Sequence, residues 1–240
     1  TMPEFDNTKY ELPSDQANNA TLNKLRAAVL GANDGIVSIS SLVMGVAGAT
    51  SDTKAITIAG LAALIAGALS MAVGEYVSVS SQSDAEKAYI RLEKEDLAEN
   101  PEHELDELAR EYVKLGLTRK TADAVAKELT KKDALRAHLH VHFNLDPDDI
   151  NSPWNAAIAS LLAFTVGGLV PFLTMILSPV SIRIWTTSFA VLIALFCVGY
   201  ISARVGNASK GRAVARVVFG GLLAMAITYY VGVLFGTTVG

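Results

Sequence analysis

The feature that most constrains this sequence is a set of four long segments without any Asp, Glu, Lys or Arg. They are residues 55–74, 153–182, 184–203 and 217–240. Each is long enough to cross a hydrocarbon core of about 30 Å, which takes about 20 helical residues. A fifth segment, residues 25–49, is rich in glycine and alanine and carries one acid, Asp34. The sequence therefore predicts an all-α integral membrane protein with five transmembrane helices.

The charged residues are concentrated between the second and third predicted spans. Residues 84–149 hold 17 of the 24 acids and 11 of the 20 bases. An acidic block of this kind repels phosphates, so nucleic acid is not an expected partner. The predicted organisation is a flexible N-terminal tail (1–22), transmembrane helices 1 and 2 (23–82), a three-helix cytoplasmic metal-binding domain (83–151) and transmembrane helices 3 to 5 (152–240).

Basic residues in the short loops predict the orientation in the membrane. Lys24 and Arg26 precede the first span, and four bases lie within residues 204–216, whereas the opposite loops carry only Lys54 and Arg183. By the positive-inside rule, the N-terminus and the inserted domain are cytoplasmic and the C-terminus faces the other side. The first 20 residues lack a basic n-region, so no signal peptide is predicted and the first span serves as the insertion signal.

Several functional classes lack support in the sequence. Cys197 is the single cysteine, which excludes an intrachain disulfide and a thiolate zinc cluster. There is no Gly-rich phosphate loop and no HExxH motif. We therefore expect neither ATP-driven transport nor metalloprotease chemistry, and we predict that the chain is not an enzyme.

The inserted domain is predicted to be helical throughout. Residues 83–99 continue the second span as one long helix, because no Gly or Pro follows Gly74 in that stretch. Asn100 and Pro101 form a helix start that runs to Leu115 and ends at Gly116. Further helices are expected over 122–131, capped by Thr118 or Thr121, and over 132–143, before Asp146 and Pro147 break the chain.

Three residues in the first two spans are candidates for an ion pathway. An acid within an apolar span costs at least about 2.5–3.5 kcal/mol and is usually functional, which singles out Asp34; the alternative is that it lies near a helix end and reaches water. Met71 and Glu75 are four residues apart, on one helical face, and offer a mixed soft and hard site suited to Fe²⁺. Alternatively, Met71 fills the core and Glu75 marks the membrane interface. The neighbouring Gly31 and Gly35 form a GxxxG pattern, which serves helix packing as readily as function.

The inserted domain contains residues with metal-ligand chemistry. Glu93 and Asp96 share a helix face, as do Glu104 and Glu107, because each pair is spaced i, i+3. All four histidines lie here, and His138 and His142 are spaced i, i+4 so that both can bind one ion. Carboxylate and imidazole together suit Fe²⁺, Mn²⁺ or Zn²⁺. The alternative is an ordinary solvated acidic face.

Three sequence runs resemble the vacuolar iron transporter family in its bacterial form. They are GANDG at 31–35, GALSMAVGEYVSVSSQ at 67–82 and LAENPE at 97–102, and the similarity extends over residues 25–240. The resemblance implies a homodimer of five-helix subunits that moves Fe²⁺, and often Mn²⁺, out of the cytoplasm in exchange for protons. No organic cofactor is implied, and the expected location is a bacterial inner membrane.

The resemblance also assigns roles to individual residues. It places the transport path between the first two helices of both subunits, at Asp34 and Met71. Plant-type members carry further acids where this chain has Ala27 and Ala63, and Glu75, where such members tend to have Gly, is a partial substitute. In the cytoplasmic domain the first four family ligands fall on Glu93, Asp96, Glu104 and Glu107. A later family glutamate falls on His142, or on Asn144 if no gap is allowed; we prefer His142, which lies on one face with His138.

Two rival functions follow from the same residues. A membrane-anchored metal sensor or storage module would use the inserted domain alone, with the spans only holding the protein in place. A di-iron carboxylate oxidase would need Glu-x-x-His pairs. No glutamate lies three residues before His138, His140 or His142, so the oxidase has the weaker support.

Overall fold

A computed structural model describes residues 19–148, 152–206 and 208–239, and the predicted N-terminal tail lies almost entirely outside this part. The described residues form seven helices and confirm the all-α prediction. These are α1 (Asn19–Ala49), α2 (Thr53–Glu99), α3 (Pro101–Lys114), α4 (Arg119–Phe143), α5 (Pro153–Leu177), α6 (Arg183–Val205) and α7 (Lys210–Val239). The helices α1, α2, α5, α6 and α7 are long and apolar enough to cross a bilayer, as predicted.

The chain divides into two compact units. The membrane unit is described over residues 24–78, 153–206 and 208–239, and the insert unit over residues 19–23, 79–148 and Ser152. Helix α2 has 47 residues and belongs to both units. It confirms that the second span continues without interruption into the charged region, because residues 75–99 contain no helix-breaking glycine or proline.

The core of the membrane unit is built from aliphatic, aromatic and methionine side chains of all five spans. The largest fully buried members include Phe164, Ile39, Met175 and Leu195. Lipid-facing positions are equally apolar, so apolar character alone does not distinguish the core of such a unit from its surface.

Glycines allow α1 to lie unusually close to two other helices. A Cβ on Gly31 would lie 2.9 Å from the Ser160 carbonyl oxygen of α5, and one on Gly35 would overlap the Phe164 carbonyl oxygen. Towards its other end, α1 meets α7, where a Cβ on Gly232 would overlap the Gly45 carbonyl oxygen. The GxxxG pattern at Gly31 and Gly35 therefore has a packing role, which was one of its two interpretations.

A buried arginine ties the loop between α1 and α2 to the start of α6. Arg183 is 3% exposed and donates to the Ser51 carbonyl oxygen at 2.8 Å and to the Thr53 hydroxyl at 3.2 Å. A buried guanidinium needs such acceptors, because leaving its donors unsatisfied costs about 1–3 kcal/mol or more. This contact fixes the end of α1 that follows the glycine contacts with α7.

In the insert unit, α3 and α4 pack through a small core around Leu108, Ala109, Ala122 and Ala126. Gly116 adopts φ +103 in the connection, which favours glycine, and the Thr118 hydroxyl caps α4 by accepting from the Thr121 amide. The two predicted helices 122–131 and 132–143 form one run that is interrupted at Asp133 (φ −165, ψ 94). Asp133 accepts from the Arg136 amide at 3.0 Å and so acts as a cap in mid-run.

The glycine contacts predict different effects of two alanine substitutions on the stability of the membrane unit. A Cβ on Gly167 would overlap the Ala32 carbonyl oxygen, so Gly167→Ala should destabilise the membrane unit by about 1–3 kcal/mol through overpacking. Gly220→Ala, within α7, meets nothing within 4 Å and should be neutral or stabilising by about 0.5–1 kcal/mol. Thermal unfolding of the purified full chain in detergent measures both; equal melting temperatures would contradict the packing role.

Candidate metal sites

The insert unit brings five predicted ligands into two neighbouring groups. The first group consists of Glu93 from α2 with His138 and His142 from α4, whose ligand atoms lie within 4.8 Å of one another. The second consists of His103, Glu104 and Glu107, all from α3, under the same limit. Each group combines carboxylate oxygen with imidazole nitrogen, the ligand set that suits Fe²⁺, Mn²⁺ or Zn²⁺.

The first group is buried, which is unusual for such polar side chains. His138 is fully buried, and Glu93 is 8% exposed. The His138 Nδ1 and the Glu93 Oε1 are 2.7 Å apart, yet the geometry does not form a hydrogen bond, and neither atom has another hydrogen-bond partner among the described residues. An imidazole nitrogen and a carboxylate oxygen held this close in a buried position are arranged as two ligands of one cation would be.

Burial shifts the pKa of both side chains. It raises the pKa of Glu93 above its ordinary value, opposed by the nearby His142 and reinforced by the negative charges of Glu104, Asp96 and Glu107. Burial also lowers the pKa of His138, opposed chiefly by Glu104. Both shifts disfavour the charged form in a site of low polarity. A neutral imidazole is the form that binds a metal, so His138 is prepared for that role.

Glu104 connects the two groups. Its Oε1 lies 3.3 Å from the His103 Nδ1, and its Oε2 lies 3.5 Å from the His138 Nδ1. Glu104 is 7% exposed, so bulk water solvates its carboxylate only slightly. With one oxygen facing each group, this carboxylate has the geometry to bridge two ions.

The structure differs from the predicted ligand set at two positions. Asp96 is exposed and stands outside both groups, although it was predicted to share the site with Glu93. His103, which was not among the predicted ligands, is included: its Nδ1 lies 3.9 Å from the Glu107 Oε2. The spacing of His103 and Glu107, i and i+4, could have identified this pair. His140 is exposed and lies outside both groups, as its helical position predicted.

The three predicted pathway residues belong to the membrane unit, whereas both ligand groups belong to the insert unit. Asp34 is half-buried on α1, seven residues after the start of the apolar segment at Ala27, and accepts a hydrogen bond of 2.8 Å from the Ser38 hydroxyl. Met71 is half-buried on α2 and packs against the hydrophobic core, in keeping with its alternative role as core filler. Glu75 is half-buried one turn further along α2.

Comparison with known proteins gives the family. Residues 25–233 match the VIT family. The chain belongs to the VIT family. It is 42% identical over 221 residues to a "Vacuolar iron transporter" of Acanthamoeba castellanii, covering 90% of this chain and 80% of that protein. It is 37% identical over 213 residues to "Vacuolar iron transporter homolog 2" of Arabidopsis thaliana, covering 88% and 84%.

The match includes a larger share of a rice relative. "Vacuolar iron transporter homolog 2" of Oryza sativa subsp. japonica is 37% identical over 214 residues, which are 89% of this chain and 91% of that protein. VIT family membership confirms the family predicted from the three sequence runs. It also confirms that the chain belongs to a family of transporters and is not an enzyme.

The buried carboxylate of Glu93 leads to a prediction about stability without metal. In chelator, Glu93→Gln should raise the melting temperature of the full chain by about 2 °C, because a neutral amide is cheaper to bury than a carboxylate. A raised pKa in the fold means that wild-type stability is lost as pH rises through that pKa. The difference in melting temperature between Glu93→Gln and the wild type should therefore grow above about pH 4.3. It should vanish below that pH, where Glu93 is protonated.

The same variant should lose the rise in melting temperature that we expect added Zn²⁺ or Mn²⁺ to give the wild type, because the predicted site loses a carboxylate oxygen. Glu95→Gln is the matched control, an exposed acid on the same helix. Glu95→Gln should change neither the melting temperature in chelator nor its rise on addition of metal. If added metal raised the melting temperature of Glu93→Gln as much as that of the wild type, Glu93 would not be a ligand.

The imidazole of His142 should affect which metal the insert prefers. His142→Glu replaces nitrogen by a harder oxygen ligand and should shift the affinity ratio from Zn²⁺ towards Mn²⁺ by about tenfold. Titrating each metal against the melting temperature of the full chain measures the ratio. His140→Glu adds the same charge at an exposed position outside both groups and should leave it unchanged.

Proposed function

We propose that this chain is an exporter of divalent transition-metal ions, Fe²⁺ and also Mn²⁺, that works as a proton antiporter and a homodimer. The relatives named as vacuolar iron transporters support iron as the cargo. The observation that carries the proposal is Asp34, a carboxylate seven residues inside a membrane-spanning segment. At about 1.5 Å per residue, this places it about 10 Å along the span, and such a costly position is typical of an ion pathway.

The proposed cycle begins in the insert, which we assign to the cytoplasm by the positive-inside rule from the bases at residues 24–26 and 204–216. Glu93, Glu104, Glu107, His138 and His142 collect the ion, with Asp96 as an outer acid that draws cations towards them. The ion then passes to Asp34, Met71 and Glu75. Carboxylate oxygen and thioether sulfur together favour a borderline cation over Mg²⁺ or Ca²⁺.

Coupling follows from competition at the carboxylate. A metal ion and a proton bind the same oxygens of Asp34, so one displaces the other. On the far side, a higher proton concentration releases the ion, and the proton leaves later into the cytoplasm. In this proposal the membrane is a bacterial inner membrane, where such an exchange is driven by the proton gradient.

A metal sensor or storage module is the second candidate. It is favoured by the fact that both ligand groups lie entirely within the insert unit. A protein of that kind would need no ionisable residue within its spans. A substitution of Asp34 therefore distinguishes the two functions by experiment.

The test is flux through proteoliposomes with an imposed pH gradient, for Fe²⁺, Mn²⁺, Zn²⁺ and Co²⁺. Asp34→Asn should abolish metal flux and metal-dependent proton movement, because the amide has no charge to hold the ion. The same variant should keep the metal-induced rise in melting temperature that arises from the insert. Asp52→Asn, an exposed acid in the loop before α2, is the control and should transport normally. Undiminished flux in Asp34→Asn would exclude the proposed pathway.

A further inference from the structure

The hydroxyl group of Ser38 differs from other hydroxyls in the membrane unit. Its Oγ donates a hydrogen bond of 2.8 Å to the Asp34 Oδ1, one turn earlier on α1. Serine and threonine within a helix commonly donate to the backbone carbonyl oxygen three or four residues earlier. Other hydroxyls in the spans do so, among them Thr57, Thr165, Thr174, Ser188 and Thr228. Ser38 donates to an acidic side chain instead.

Helix geometry explains why the two side chains meet. Residues four apart lie on one helical face, and side chains lean towards the N-terminus of an α-helix, so Ser38 leans onto Asp34. Ser38 is exposed and Asp34 is half-buried, so both lie on a face of α1 that the other helices of this unit leave partly uncovered. The Asp34 Oδ2 has no hydrogen-bond partner among the described residues. One oxygen of the carboxylate is therefore held, and the other remains available to an ion.

A donated hydroxyl proton has two effects on a carboxylate. It favours the charged form, because a hydrogen bond to an ionised oxygen is stronger than one to a neutral oxygen. It also orients the carboxylate. Carboxylates that bind metals are commonly hydrogen-bonded by a second residue, and loss of that residue weakens metal binding by about 10–100-fold. Both effects favour a metal ion over a proton.

Other ionisable side chains surround Asp34, but none is paired with it in the part of the chain that the structure describes. Helix α5 contains no ionisable side chain. Helix α7 runs alongside α1 with Gly221 beside Val37, which places Arg216 near the level of Asp34 without an ion pair between them. The remaining ionisable residues in this half of the unit are Glu75 and Tyr76 in α2, Cys197, Tyr200 and Arg204 in α6, and Lys210 and Arg212 in α7.

We infer that Ser38 is a positioning residue of the proposed ion pathway, which holds the Asp34 carboxylate charged and leaves its second oxygen for the ion. Ser38 adds no ligand and no separate route. The inference rests on the proposed transport function and adds the residue that sets the balance between metal and proton at Asp34.

The pH dependence of Mn²⁺ flux through proteoliposomes tests this role, at a subsaturating Mn²⁺ concentration and a constant pH difference across the membrane. Ser38→Ala removes the donor, so protons compete better for Asp34 and the pH of half-maximal flux should rise by about one unit. At the wild-type midpoint, the KM for Mn²⁺ should rise about tenfold while the maximal rate stays within about twofold, because saturating metal displaces the proton. The other ionisable groups are the same in both proteins, so their titration does not contribute to the difference.

A pair of substitutions separates the hydrogen bond from the shape of the side chain. Threonine and valine have similar volumes, but only threonine has a hydroxyl. Ser38→Thr should keep the wild-type midpoint, and Ser38→Val should shift it as Ser38→Ala does. Ser188→Ala is the matched control, because the Ser188 hydroxyl donates to the Ile184 carbonyl oxygen in α6, and it should leave the midpoint unchanged. Equal midpoints for Ser38→Thr and Ser38→Val, or an equal shift in Ser188→Ala, would overturn the inference.

Infrared spectroscopy of the metal-free full chain in detergent gives a readout that does not require transport. The C=O band of a protonated carboxyl group is assigned to Asp34 by its loss in Asp34→Asn. In Ser38→Ala this band should titrate about one pH unit higher than in the wild type, and in Ser38→Thr it should titrate as in the wild type. This measurement also decides the case in which a Ser38 variant is inactive at every pH. An unchanged titration in Ser38→Ala would contradict the positioning role.

The outcomes separate this inference from the proposed function. If Asp34→Asn still transports, the transport proposal fails and the positioning role fails with it. If Asp34→Asn is inactive while Ser38→Ala keeps the wild-type midpoint and infrared titration, the transport function stands and the role of Ser38 alone is wrong.

Discussion

Close contact between helix backbones is the constraint on which the membrane unit depends. Lipid tails are as apolar as leucine, so burying apolar surface does little to hold spans together, and dense packing has to do so. The glycines of α1 provide it on two sides, against α5 near Gly35 and against α7 near Gly45. These contacts determine the placement of the whole helix, and with it the position of Asp34 in the bilayer.

The insert unit depends on the opposite kind of interaction, a set of polar groups that are buried without being fully satisfied. Burial shifts Glu93 and His138 towards their neutral forms, and their nearest atoms approach without a hydrogen bond. In the absence of a cation, this arrangement lowers the stability of the unit. A group of residues that is costly when empty is expected where binding, and not folding, has determined the choice of side chains.

Much of this architecture can be read from the sequence because it depends on local rules. The uncharged blocks define the spans, and the lack of breakers after Gly74 gives the long α2. Thr118, one of the two predicted candidates, caps α4. The composition of the metal groups required tertiary information. Glu93 and His138 meet from different helices, whereas Asp96, three residues along α2, is exposed, and only packing decides between them. The interruption at Asp133 was likewise predicted only as a junction between two helices.

The two proposed binding regions differ in the strength of their ligands. The insert offers several carboxylates and imidazoles in each group, a set with high charge and nitrogen ligands that holds borderline cations strongly. The proposed span site offers fewer charged ligands, the carboxylates of Asp34 and Glu75 with the thioether of Met71. Ligand strength therefore falls along the proposed route. In the proposed function, an ion captured at low concentration in the cytoplasm passes from the insert to a weaker site in the span. A proton that competes for the carboxylate of Asp34 would then release it, and the proton gradient would supply the free energy for export against a metal gradient.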